Sequence, residues 1–145
     1  MSVDVEVVRA VTDEVVEAFG RLLPQLSRSA QPLDERALRI LVEWPGNRVL
    51  VARADGEIVG TLTLVMFPIP TGMRAWIEDV VVDEAARGRG AGEVLTREAV
   101  RLATEAGART IDLTSRPSRG AANRLYERLG FRLRDSKVYR LADGP

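Results

Sequence analysis

The stretch WIEDVVVDEAARGRGAGEVLTREAVRLATEA, Trp76 to Ala106, decides how the rest of the chain is read. It begins as an apolar strand, breaks into a glycine-bearing turn, and opens directly into an amphipathic helix. Val80, Val81 and Val82 form a β-branched run, the residue type that fits a pleated, buried surface. Gly88, Gly90 and Gly92 follow, and glycine lets backbone N–H groups approach a ligand closely. Because a helix comes next, those N–H groups lie among its unpaired first-turn donors, at the positive end of its dipole. Such a turn is suited to a phosphate or pyrophosphate. A tight strand-to-helix connection also needs glycine for its own sake, so the turn alone does not decide between the two.

Two familiar phosphate loops are set aside by spacing. Gly88, Gly90 and Gly92 lack the third interval of G-x-G-x-x-G, and the G-K-[ST] of nucleoside-triphosphate loops is absent. The pattern present is R-x-x-G-x-G after a valine-rich strand. Arg87-Gly88-Arg89-Gly90-Ala91-Gly92 thereby resembles the coenzyme-A loop of the GNAT N-acetyltransferase superfamily. Downstream, NRLYERLGF (Asn123 to Phe131) resembles the closing helix of the same family, with its L-Y-E-x-x-G-F ending. Two motifs in order are more specific than either alone. The resemblance implies acetyl-CoA as cosubstrate, its pyrophosphate on the amides of Arg87 to Gly92 and its pantetheine arm along the main chain of Val80, Val81 and Val82.

Composition excludes several other classes. The 145 residues fit one domain, 1–145. Lys plus Arg equals Asp plus Glu at 21 each, so there is no electrostatic footprint for nucleic acid. With no cysteine and no histidine, a disulfide framework, a metal enzyme and a Ser-His triad are all excluded. No apolar run approaches the ~20 residues of a membrane span. Met1-Ser2-Val3-Asp4 lacks the charged start and apolar core of a signal peptide, so the expected location is the cytoplasm.

Periodicity supplies the element order. Val3 to Val7 alternates apolar and acidic residues, which predicts a strand. Thr12 or Asp13 caps a helix that carries Val15, Phe19 and Leu22 and reaches Pro24; Leu33 to Trp44 predicts a second. Arg48 to Ala54 and Glu57 to Phe67 are strands joined at Asp55-Gly56, a strong hairpin signal. Pro68, Pro70 and Gly72 interrupt before the strand Met73 to Asp83. Leu62, Leu64 and Met66 read as core, with an acyl pocket as the other use of the same wall. A helix from Gly90 to Ala106 ends at Gly107, Thr110 to Thr114 is a short strand, and Ser118 caps a helix closed by Gly130. Val138 to Leu141 is expected as a last strand. The order β-α-α-β-β-β-α-β-α-β predicts an α/β fold, a GNAT-like, mostly antiparallel mixed sheet of about six strands with about four helices.

Acetyl transfer from a thioester to an amine needs a neutral nucleophile, oxyanion stabilisation and a proton for the departing thiolate. Tyr126 matches the family's tyrosine, which donates that proton; a packed helix tyrosine fits the same residue. Backbone N–H groups around Val80 to Val82 are the oxyanion candidates, because a strand that splays from its neighbour leaves amides unpaired. For the base, strict alternation sends Glu78 and Asp79 to opposite faces, with Glu78 on the face of Val80 and Val82. Partial desolvation there would raise its pKa, which favours Glu78, directly or through water, over Asp79; a structural carboxylate at a strand end stays open. Asp83 and Glu84 read as exposed loop charges. Many family members carry asparagine seven residues before the tyrosine, where it bonds the pantetheine arm; here that position is Arg119, with Asn123 three before Tyr126. Either one is left as the coenzyme contact. The expected activity is acetylation of a primary amine on a small molecule. A non-catalytic acyl-CoA-binding or regulatory module and a protein or peptide N-acetyltransferase are the alternatives, and a homodimer stays open.

Overall fold

A two-residue turn starts the sheet. Asp55 and Gly56 both take left-handed backbone, at φ 54° and 81°, as a type I′ hairpin requires. They join β2 (Asn47–Ala54) to β3 (Glu57–Ile69), and Pro70-Thr71 joins β3 to β4 (Gly72–Val82). Pro68 was expected to interrupt β3 but lies within it. It sits beyond Val65, where β3 has lost β2 as a neighbour and a missing N–H is tolerated. β1 (Val3–Val7) adds antiparallel to β2, and β5 (Thr110–Leu113) adds parallel to β4. The spatial order is β1-β2-β3-β4-β5, a mixed sheet.

The computed structural model describes residues 2–142. They fall into two compact units, one through Thr114 and one from Ser115 onward. In the first unit, α1 (Asp13–Leu26) and α2 (Glu35–Glu43) cover one face of the sheet. Their Phe19, Leu22 and Leu38 pack with Val49, Val51 and Val81. The opposite face receives α3 (Ala91–Glu105), whose Leu95 reaches within 3.3 Å of where a Cβ on Gly60 would stand. Leu62 and Leu64 are fully buried, so their wall is core. Cross-strand pairing sets these faces: Leu62 lies opposite Leu50, and Thr61 opposite Val51 and Val81.

Local capping chemistry explains the ends of the helices. The Thr12 hydroxyl accepts from the Val15 amide and Asp34 from the Ala37 amide. Gly107, at φ 83°, ends α3 in a Schellman motif, with Gly107 N–H on the Thr104 carbonyl and Ala108 N–H on that of Ala103, both at 3.0 Å. Helix α1 runs past Pro24, where the sequence suggested an end. One donor toward Gly20 is lost, yet the Ser27 amide still bonds the Leu23 carbonyl at 2.9 Å and closes the last turn.

The second unit holds α4 (Gly120–Arg128). Ser118 does not cap it: Arg119 occupies the cap position and makes no side-chain cap bond. The far end is a second Schellman motif, Gly130 N–H to Glu127 and Phe131 N–H to Tyr126, accompanied by an edge-to-face contact of the Tyr126 and Phe131 rings at 5.9 Å. The expected strand Val138 to Leu141 does not form. Among the described residues the sheet has five strands, and Val138, Tyr139 and Leu141 stand 75%, 86% and 78% exposed. A strand exists through the ladder it makes, and four residues that follow Lys137 and include Arg140 have little apolar face with which to secure one. No helix among the described residues is long and apolar enough to cross a membrane.

Candidate active site

A break in the β3–β4 ladder shapes the site. Thr63 pairs with Glu78, but Thr61 pairs with Val81, so Leu62 faces two residues, Asp79 and Val80. This is a β-bulge, and Asp79 takes φ +49°, the left-handed region that glycine usually fills in such bulges. Aspartate is among the few side chains that enter that region without great strain. The extra residue resets the alternation. Glu78 therefore shares its face with Trp76 and Val81, on the side of α1 and α2, and not with Val80 and Val82 as strict period-2 counting suggests.

The bulge coincides with the end of the other ladder. β5 pairs with β4 only from Arg74–Thr110 to Ile77–Leu113. From Glu78 to Val82, β4 runs on without a β5 ladder at its flank. Main-chain groups of this segment on that side are available to an extended ligand, which would add to the strand edge as another strand does.

On the face covered by α1 and α2, a cavity of ≈ 270 Å³ opens between α1, α2 with the residues just before it, and the sheet. Phe19 and Leu23 of α1 and Leu33 and Leu41 of the α2 region form its apolar walls. Its polar lining is made by Thr61, Thr63 and Asn47 with the acidic residues Glu78 and Asp79. Glu78 and Asp79 are both exposed residues; partial desolvation nonetheless raises the Glu78 pKa above the ordinary carboxylate value, and the adjacent Asp79 charge raises it further. Two polar groups are already committed as donors. The Thr61 hydroxyl donates to the Leu50 carbonyl at 2.8 Å, and the Asn47 amide to the Leu41 carbonyl at 3.1 Å.

Beyond β4, a 3-10 turn at Glu84–Ala86 leads through Arg87 to Gly88 and Gly90, at φ 86° and 84°. Gly90 is the N-cap of α3, and no side chain caps that end. A Cβ built on Gly88 or Gly90 would meet nothing within 4 Å, so the space over this backbone is open. Positive φ, open space and an uncapped helix start are the features that fit a pyrophosphate. Ala91 is buried, Gly92 accepts from the Thr96 hydroxyl, and Arg89 lies 3.7 Å from Asp55 of the hairpin turn.

Asp83 is not an exposed loop charge. It bonds Arg21 at 2.7 Å and the Ala85 amide at 3.1 Å, while Gln25 bonds both Asp83 and the Glu84 amide. The Ala85 amide, with Arg21 and Gln25, holds the Asp83 carboxyl below its ordinary pKa. The clasp appears because α1 packs over the end of β4, a contact between residues about 60 positions apart. Arg21 also donates to the Ile58 carbonyl, so one guanidinium joins α1, β3 and the loop before the glycines.

Arg119, Asn123 and Tyr126 belong to the second unit. Arg119 is exposed, and its backbone amide bonds the Arg116 carbonyl. Asn123 is turned inward on its own loop, its side-chain amide on the Arg116 carbonyl at 3.1 Å. The Tyr126 phenol has a pKa raised by burial, against a smaller lowering by Arg119, and so is protonated at neutral pH. The structure thus brings Glu78 and Asp79 together at one cavity and sets Arg87 to Gly92 at the start of α3. Sequence reasoning missed Thr61, Thr63 and Asn47. The first two were legible as the alternate positions of the T-L-T-L run, polar where Leu62 and Leu64 are core.

The sequence profile of the Acetyltransferase (GNAT) family matches residues 12–131. Glucosamine 6-phosphate N-acetyltransferase 1 of Oryza sativa subsp. japonica is 34% identical over 128 residues, covering 81% of this chain and 75% of that protein. The mycothiol acetyltransferase of Nocardia farcinica is 33% identical over 121 residues, or 82% of this chain, which spans only 38% of that longer protein. Among solved structures, a transcriptional regulator from Bacillus halodurans C-125 superposes with TM-score 0.80 at 30% identity, covering 96% of this chain and 99% of that one.

Proposed function

This chain belongs to the GNAT acetyltransferase family, and on that premise we propose that it is a cytoplasmic, single-domain N-acetyltransferase that moves the acetyl group of acetyl-CoA to a primary amine of a small molecule. The observation that carries the reading is the bulge at Asp79. It turns Glu78 to the cavity at the point where β4 loses its β5 ladder. An amine seated in the cavity would lie beside the strand edge that takes the pantetheine arm, with Val80 to Val82 as its main-chain partners and Arg87 to Gly92 on the pyrophosphate. Arg119 or Asn123 would supply a further polar contact to the coenzyme.

The amine attacks the thioester carbonyl: a C–N bond forms, the C–S bond breaks, one proton leaves nitrogen and one reaches sulfur. Glu78 takes the first, directly or through water, and its raised pKa makes it a stronger base than an ordinary carboxylate. Tyr126 supplies the second, since its phenol is protonated at neutral pH. Amides of the β4 segment receive the oxyanion.

Thiol release from acetyl-CoA across a panel of amines, amino acids, aminosugars and peptides tests this. Turnover with small amines and not with peptides is the expected result. Tight coenzyme binding without turnover on any acceptor would make the chain an acyl-CoA-binding module instead.

A further inference from the structure

The cavity at Glu78 also carries information about the acceptor itself, on the reading that it is the acceptor site. Three features bear on it. First, its charge is of one sign: the acidic residues Glu78 and Asp79 line it, and among the described residues no lysine or arginine does. Second, its polar groups are acceptors more than donors, because the Thr61 hydroxyl and the Asn47 amide already donate to the Leu50 and Leu41 carbonyls. Third, its remaining wall is aliphatic and aromatic, and its ≈ 270 Å³ falls below the roughly 300–1,000 Å³ typical of drug-sized ligands.

We propose that the acceptor is a small amine with an apolar body and no acidic group, held by its ammonium end at Glu78 and Asp79 and by its hydrocarbon part against Phe19, Leu23, Leu33 and Leu41. A phosphate or α-carboxylate on the same molecule would enter a space with two like charges and no compensating cation. That juxtaposition is repulsive and leaves the anion's hydrogen-bonding capacity unmet. Rejection of the acidic analogue is thus built into the walls, and specificity comes from what the cavity refuses as much as from what it binds. The similarity to a glucosamine 6-phosphate enzyme therefore does not extend to the sugar phosphate as acceptor.

Matched pairs that differ only in the acid test this: phenethylamine against phenylalanine, and glucosamine against glucosamine 6-phosphate. kcat/KM by thiol release, and Kd by calorimetry without coenzyme, are measured for each. The expected preference for the acid-free member is about 10²-fold or more in both pairs. Asp79→Asn keeps a side chain that tolerates left-handed backbone while removing one charge, and should shrink the preference about tenfold. Equal or reversed preference in turnover would overturn the substrate class and leave acetyl transfer standing. The expected preference in Kd with no turnover would do the opposite, sparing the substrate class and removing the transfer reading. Failure of every acid-free amine to bind or react would overturn the assignment of the cavity.

Discussion

Two parts of the first unit, the turn at the start of α3 and the cavity at Glu78, form candidate sites by opposite means. The turn is built of backbone. Its chemistry is a row of amides, and side chains matter there mainly by being absent, as at Gly88 and Gly90. The cavity is built of side chains from α1, α2, β2, β3 and β4, and its backbone matters at one place, the bulge at Asp79. A backbone site can be contained in six consecutive residues. A side-chain site needs the whole packed unit to assemble it. The first tolerates almost no change of conformation and the second almost no change of charge or volume.

If that contrast is right, the turn should respond most to added bulk. Gly90→Val places a β-branched residue at φ 84° and fills the open space above the amides, so acetyl-CoA affinity should fall by about 10²-fold or more. Calorimetry on a variant with unchanged circular dichroism checks this, and undiminished affinity would remove the turn from coenzyme binding. Tyr126→Phe comes next. It keeps the ring against Phe131 and removes only the proton donor, so kcat should drop about 10²-fold with little change in coenzyme affinity. A matching loss of thermal stability would instead mark the hydroxyl as a structural bond.

Glu78→Gln sharpens the contrast, because it should cost activity while improving stability. The rate should fall by at least about tenfold, and the rise of rate with pH through the raised pKa of Glu78 should vanish. Stability follows the opposite sign. A carboxyl whose folded pKa lies above its unfolded value binds more protons when folded, so folding loses stability as pH climbs from the unfolded pKa through the folded one. The variant escapes that loss. Its Tm should exceed the parent's at pH 7, and the gain should disappear below about pH 4, near the ordinary glutamate value, where both states of the parent are protonated. A lower Tm at pH 7 would show that Glu78 makes a stabilising bond.

The smallest effect is expected at the clasp beside both regions. Arg21→Ala leaves Asp83, whose side chain is 16% exposed, without its guanidinium and should cost about 1–2 kcal/mol of stability, read by denaturant titration. Because the Asp83 pKa is lowered in the folded state, its contribution is present above the unfolded value and lost as pH falls through the folded one. The deficit of Arg21→Ala should therefore narrow below about pH 4, near the ordinary aspartate value. A deficit independent of pH would mean that the bond to the Ile58 carbonyl and the packing of the arginine stem carry the effect.

Much was readable from the chain alone where the determinant is local. Asp55-Gly56 specifies its hairpin because both positions need left-handed backbone. Gly107 and Gly130 close their helices for the same reason. The positive φ of Gly88 and Gly90 in the G-x-G turn was legible for the same reason, because it is a property of consecutive residues. Tertiary structure decided what depends on pairing between distant segments. Whether Val138 to Leu141 becomes a strand depends on a neighbour's ladder, and no periodicity within four residues can supply one. The faces of Glu78 and Asp79 depend on a register step against Thr61 and Thr63, which moves every later side chain on β4 to the other face. Asp83 changes from a loop charge to a clasp only when α1 arrives with Arg21. Alternation and capping are properties of a segment and its own backbone, so they can be read along the chain. Register, burial and ion pairing are properties of two segments at once, and they come into being only when the sheet and its helices have closed on each other.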